Sequence, residues 1–226
     1  MTSNVEKHAS NPLAANEYLG PLLELLGDHG ISAAQVVQGT LIHPNALIAV
    51  DTRITVSDYD RIIRNALALS HDPLLGLEHG RRMSIASHGF LGFAVMASET
   101  LGEGLSLAVR YAGTRTNLAE IRFIQDNHHC VLQVLRTASL PASFHFIAHN
   151  ILSTMITIAR FLTRNSEKLS PEIHLIEPPQ APLSYYDQLL DCPVTFNCEH
   201  YELVLPKEAL NLEVSTANSV ARHNAE

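Results

Sequence analysis

The chain has 226 residues, 46% hydrophobic and 17% charged, with a formal net charge of −8 at pH 7. That is apolar material for a sizeable core, which argues against a disordered chain, and it is too acidic for a nucleic-acid-binding surface. No long uncharged apolar run marks a membrane span, residues 1–16 lack the apolar core of a secretory signal, and three cysteines (Cys130, Cys192, Cys198) make no disulfide framework, so a cytoplasmic protein is expected.

Residues 1–16 read as a flexible lead-in. Asn16 then precedes an apolar-periodic run (Leu19, Leu22, Leu23, Leu25, Leu26) that stops at Gly30 and predicts a helix. Ser32-Ala-Ala-Gln35 has the form of a capping box, in which side chains at both ends satisfy free helix amides. Ser57-Asp-Tyr-Asp60 is a looser version, opening a helix through Ile62, Ile63, Ala66 and Leu67. The stretch Gly89 to Ser98 is apolar nearly all round, as befits a helix in a core or against a ligand. Thr100-Leu-Gly-Glu103 is another capping box, opening a helix through Leu105, Ala108, Val109 and Tyr111.

Near residue 118 the period changes. Alternation through Glu120, Ile121, Arg122 and Phe123 predicts a half-buried strand, Asp126-Asn127 a turn, and Cys130 to Arg136 the returning strand. A long helix follows from about Ala142 to Arg164. It is apolar over most of its circumference, with one polar seam at four-residue steps: His145, His149, Ser153, Thr157. After Pro171 come a short strand (Ile173–Ile176) and a helix (Pro182–Leu190) with Ser184 and Asp187 in capping-box spacing. Val194–Phe196 and Tyr201–Leu205 then predict a closing hairpin. The expected fold is α+β, a helical N-terminal layer packed on a small, mostly antiparallel sheet with a long central helix.

Charge is unevenly spread. Residues 165–226 carry three basic against ten acidic side chains, whereas residues 81–164 carry eight arginines against four acids. An anionic ligand would find its partner in that middle stretch, where Arg115 and Arg122 flank the helix-to-strand junction. His145 and His149 stand at the spacing at which two imidazoles share a metal, but the pair lacks the glutamate of a H-E-x-x-H site and a third ligand. A pocket-lining or structural role is favoured, with no metal and no cofactor. Neither Gly89-x-x-Gly92 nor Gly102-x-Gly104 follows a strand as a phosphate loop does; no G-x-S-x-G elbow is present, and no spacing picks out a triad. A non-enzyme is expected.

Several segments together resemble a known family. Tyr18-Leu-Gly-Pro-Leu-Leu-Glu-Leu-Leu26 with Gly30-Ile31, then Asp72-Pro-Leu-Leu-Gly-Leu-Glu78, His88-Gly-Phe-Leu-Gly-Phe-Ala94 and Ser98-Glu-Thr-Leu-Gly-Glu-Gly-Leu105 with Arg110-Tyr111 carry its first half. Tyr186-Asp-Gln-Leu-Leu-Asp-Cys-Pro-Val-Thr-Phe196 and Leu203-Val-Leu-Pro206 carry its end. In order and spacing these resemble the N-terminal "arabinose-binding-like" domain of AraC-type transcriptional regulators, the class that includes ornithine-utilisation regulators. The resemblance spans residues 17–210.

It implies an effector-sensing and dimerisation domain over 17–210. Residues 211–226 would be a linker towards a missing C-terminal helix-turn-helix domain, through which alone DNA would be bound. The effector pocket is expected between the long helix and the Phe90–Met96 helix, over the sheet. His145 and His149 would supply polar contacts, Phe93 and Tyr111 apolar walls, and Arg115 a partner for the carboxylate of an anionic or amino-acid metabolite. The assembly would be a homodimer with no membrane partner. Two other readings stand beside this one: a metal- or haem-dependent sensor using His145 and His149, and a dimerisation module without an effector.

Overall fold

The computed structural model describes residues 13–14, 16–48, 53–114, 118–137, 143–163 and 166–216. β1 (Leu13–Ala14) pairs antiparallel with β2 (Arg53–Ile54), and between them lie α1 (Asn16–Asp28) and α2 (Ala33–Val36). α1 buries Leu19, Leu22, Leu25 and Leu26, the apolar stripe expected of it. The Ser32–Gln35 capping box closes in both directions, yet the helix it opens is only four residues long.

α3 (Val56–Ser70) starts earlier than the sequence suggested. Its cap is Thr55, whose hydroxyl accepts from the Asp58 amide at 3.1 Å and donates to the Asp58 carboxylate at 2.8 Å, so Ser57 is already inside the helix. α4 (Leu75–Arg82) and α5 (Phe90–Met96) follow. α5 is not buried all round as its composition suggested: Phe90 and Phe93 are 93% and 61% exposed, while Gly92 and Val95 are buried. α6 (Leu101–Tyr111) is capped by the Thr100 hydroxyl, but the Glu103 carboxylate takes the Glu99 amide at 3.0 Å rather than that of residue 100.

β3 (Ala119–Gln125) and β4 (His129–Arg136) form the expected hairpin, with Asp126 accepting from the amides of His128 and His129. α7 (Phe144–Thr163) is the long central helix. It is long and apolar enough to cross a membrane, and 61% of its most apolar window is buried inside the protein. α8 (Ser166–Leu169), β5 (Glu172–His174), α9 (Leu183–Leu190), β6 (Val194–Thr195) and β7 (Tyr201–Pro206) complete the order. Pro182 precedes α9 without a side-chain cap, so the Ser184–Asp187 spacing is not used as a capping box.

The larger sheet runs β3-β4-β7-β5-β6. Its register builds one apolar row across all five strands, Phe123–Leu132–Leu203–Ile173–Val194, on the face that α7 covers. The row beside it, Arg122–Gln133–Glu202–His174–Thr195, lies on the opposite, polar face. Among the described strands only β5–β6 is a parallel pair, and α9 lies in the connection that parallel pairing requires. The closing hairpin does not form. β7 inserts between β4 and β5 instead of pairing with β6, and the Cys198 amide donates to the Leu175 carbonyl at 3.0 Å as the chain passes the end of β5.

α4 packs closely against α7. A Cβ at Gly76 would lie 2.6 Å from the Phe146 carbonyl oxygen, and one at Gly80 would lie 2.5 Å from that of Asn150. Two glycines four apart therefore let the backbones meet. Ser153 donates to the Leu77 carbonyl at 2.7 Å, and Thr154 to that of Gly80 at 3.3 Å.

The segment from residue 211, expected as a linker, is packed through residue 216. Val214 is buried against Val95 and Leu162, and the amides of Val214 and Ser215 donate to Glu99 and Leu162. The Thr216 hydroxyl donates to the Met96 carbonyl at 2.7 Å.

Candidate functional site

A cavity of about 140 Å³ lies between α5, α6 and α7, with β3 and β4 as its floor. Its walls include Val95 from α5, Leu105 and Ala108 from α6, and Met155 from α7, over Ile121 and Leu132 of the sheet. Four polar side chains join this lining: Tyr18, His88, Asn150 and Thr154. No Asp, Glu, Lys or Arg occurs among the described lining residues. Tyr18 meets His88 edge to face at 5.9 Å between ring centroids. Asn150 Nδ2 lies 3.0 Å from His79 Nδ1, and the Thr154 hydroxyl is held by Gly80. Burial lowers the His88 pKa and so favours the neutral ring, whose Nε2 has no hydrogen-bond partner among the described residues.

A cavity lies in the place expected for one, but Phe93, Tyr111, His145 and His149 do not line it. Phe93 projects outward from α5, and Tyr111, at the end of α6, is 46% exposed; neither lines the cavity. Arg115 lies outside the described residues. His145 and His149 share a face of α7 that points to β7 and to the loop after β5. The cavity-facing side of α7 carries Asn150, Thr154 and Ile158, one residue further along than the His145–His149–Ser153 seam, together with Ile151, Met155, Ala159 and Leu162. One residue is about 100° of helical turn, enough to move a side chain from one neighbour to another.

His149 is buried, and its Nε2 pairs with Glu177 Oε1. The other Glu177 oxygen accepts from the Tyr201 hydroxyl at 2.7 Å. Burial pushes the Glu177 carboxyl up, but the hydrogen bonds and charge supplied by His149 and the Tyr201 hydroxyl outweigh it, leaving a net lowering. The His145 ring stands edge-on to His149 at 6.1 Å; burial and then His149 lower its pKa, against an opposing pull from Glu177. Among the described residues no group of three His, Cys, Asp or Glu side chains is placed to hold a metal.

Residues 30–214 match the family model described as the arabinose-binding domain of AraC transcription regulators, N-terminal. The chain belongs to this family. The AraC-type domain is 27% identical over 202 residues to the ornithine utilization regulator of Pseudomonas aeruginosa, a match covering 89% of this chain and 59% of that protein. It is 30% identical over 155 residues to an uncharacterized HTH-type transcriptional regulator of Mycobacterium tuberculosis, covering 67% of this chain and 45% of the relative. The solved structure of the transcriptional regulator CdpR from Pseudomonas aeruginosa shares the fold, with a TM-score of 0.65 at 20% identity over 90% of this chain and 59% of that one. These relatives are regulators rather than enzymes, and the AraC-type chain spans about half the length of each of them.

Two elements of this AraC-type domain escaped sequence reasoning. One is the polar group Tyr18, His88, Asn150 and Thr154, drawn from three separated segments; its nearest signal was the four-residue step Asn150–Thr154 beside the more conspicuous histidines. The other is Glu177, an acid in an irregular loop with no motif around it. Its contact with His149 makes a quantitative prediction. His149→Leu and Glu177→Leu should each destabilise the fold, and the double variant by less than their sum, with a coupling of about 1.5 kcal/mol. Urea unfolding measures it; coupling below about 0.5 kcal/mol would make the contact incidental.

Proposed function

We propose that this chain is the effector-sensing domain of an AraC-type transcription regulator, and that a small molecule in the α5–α6–α7 cavity controls DNA binding by the part of the regulator outside this chain. The observation that carries the reading is that cavity and chain exit share a wall. Val95 and Leu162 line the cavity, and the same two side chains bury Val214 in the segment that leads out of the fold. An occupant that pressed on Val95 or Leu162 would change how residues 212–216 pack, which is the differential contact an effector needs to shift a population. The regulator would act in the cytoplasm as a homodimer with no catalytic step of its own. This reading is favoured over a metal sensor because, among the described residues, His145 and His149 gather no third His, Cys, Asp or Glu side chain placed to complete a metal site.

The test is a thermal-shift screen of metabolites on the chain and on Ala108→Phe, which puts a ring into the cavity from a half-buried position on α6. A true effector stabilises the unmodified chain by several degrees by mass action and leaves the folded variant's midpoint unchanged. Equal stabilisation of both would place the ligand elsewhere and overturn the reading. Amide exchange at Val214 and Ser215 should also change on binding; exchange that stays constant while the cavity fills would refute the coupling.

A further inference from the structure

The chemistry of the cavity narrows what it takes. Its described lining carries no charged side chain. A carboxylate, phosphate or ammonium there would give up its hydration with no opposite charge among the described lining residues to meet it. The described lining is apolar except for Tyr18, His88, Asn150 and Thr154. Thr154 is already held by Gly80, and Asn150 lies at hydrogen-bonding distance from His79. His88 differs: its Nε2 is buried, and no described residue pairs with it. Buried polar atoms in folded proteins have partners as a rule, so an orphan nitrogen on a residue that lines a cavity is open to a group brought from outside. The volume sets the size, since a cavity of about 150 Å³ is one that holds a benzene ring.

We infer that the cavity binds a small neutral molecule, about one ring in size, with a single uncharged hydrogen-bonding group that pairs with His88. This rests on the cavity being the effector site, and it replaces the anionic or amino-acid effector expected from the charge pattern. A neutral imidazole offers either a donor or an acceptor at Nε2 according to its tautomer, so a hydroxyl or an amide satisfies it equally. The ring would lie against Leu105, Ala108 and Met155, where shape and apolar contact set the affinity.

Three probes test it by titration calorimetry: 4-ethylphenol, ethylbenzene and 4-ethylbenzoate. The phenol should bind at least tenfold more tightly than the benzoate. His88→Leu should weaken the phenol about tenfold and leave ethylbenzene unchanged, while His88→Gln, which keeps a donor and an acceptor, restores most of the loss. Ala108→Phe should abolish binding of both neutral probes, and Ala112→Phe serves as a second blocking variant if the first fails to fold by circular dichroism. Benzoate binding as tight as phenol and lost in the blocked variants would overturn the ligand class and leave the site standing. Phenol binding that survives both blocked variants would overturn the site itself. No binding of either neutral probe at millimolar concentration also overturns the class, and the screen with Ala108→Phe then decides the site separately.

Discussion

Gly80→Ala is expected to destabilise the domain by about 3 kcal/mol or more, a large fraction of what holds a domain of this size together. The added Cβ would stand 2.5 Å from the Asn150 carbonyl oxygen, 2.6 Å from Ser153 Cβ and 3.0 Å from the Thr154 amide nitrogen. Two of those atoms are helix backbone, which cannot rotate aside as a side chain does. α4 would have to lift from α7, straining the bonds from Ser153 to Leu77 and from Thr154 to Gly80. Gly27→Ala is the control. Nothing lies within 4 Å of a Cβ there, and the residue is in the last turn of α1, so the change should stabilise by about 0.5–1 kcal/mol. Urea midpoints read both; a Gly80→Ala midpoint within about 0.5 kcal/mol of the parent would contradict this account of the α4–α7 contact. Because Asn150 and Thr154 also line the cavity, the variant should lose probe binding as well.

The domain should lose stability on mild acidification, with His79 a main cause. This ring is buried between α4 and α7, stacked on Phe146 at 5.6 Å. Burial holds its pKa down at about 4, against a hydrogen bond with the Tyr18 backbone that pulls it up, and Arg82 adds to the lowering. The unfolded chain binds this proton from about pH 6.5 downward, and the folded chain only near pH 4. Between those values the unfolded state therefore holds more protons. The stabilisation is complete above about pH 6.5 and drains away as the pH falls towards 4. From pH 7 to pH 5 the loss from His79 alone is about 2 kcal/mol. Burial lowers His88 and His145 too, so they add to the loss in the same direction. His79→Gln should remove its own share and keep the rest. Urea unfolding of both proteins at pH 7 and pH 5 measures the difference, and parallel pH dependence of parent and variant would show that His79 carries none of it.

Much of the helical layer was legible because its signals are local. The α1 stripe, the Ser32–Gln35 box and the Thr100 cap need only neighbours within a turn, and each forms as read apart from the details of its length and partners. The β3–β4 hairpin was legible for the same reason: alternation sets its faces and Asp126 its turn. α4 gave no such signal. Its two glycines lower helix propensity, and they are favourable only because α7 lies against them. The seam of α7 was seen correctly as polar, but which neighbour it meets depends on the rotation of the helix about its axis. That rotation is set by Gly76 and Gly80 on one side and by β4 and β7 on the other.

What the sequence determined by itself was the family, the α+β class, the long central helix and the location of a cavity beneath α5. Periodicity and ordered short motifs carry that information along the chain, whatever the distant contacts turn out to be. Only the tertiary structure decided that β7 sits between β4 and β5, because two short strands joined by five residues look the same whether they pair or are parted. Only it decided that His149 meets Glu177 while His88 Nε2 has no hydrogen-bond partner among the described residues, and that residues 212–216 fold back onto Val95 and Leu162. These are contacts between residues far apart in sequence. Each depends on the relative placement of elements by the packing of the whole core, and no local pattern encodes it.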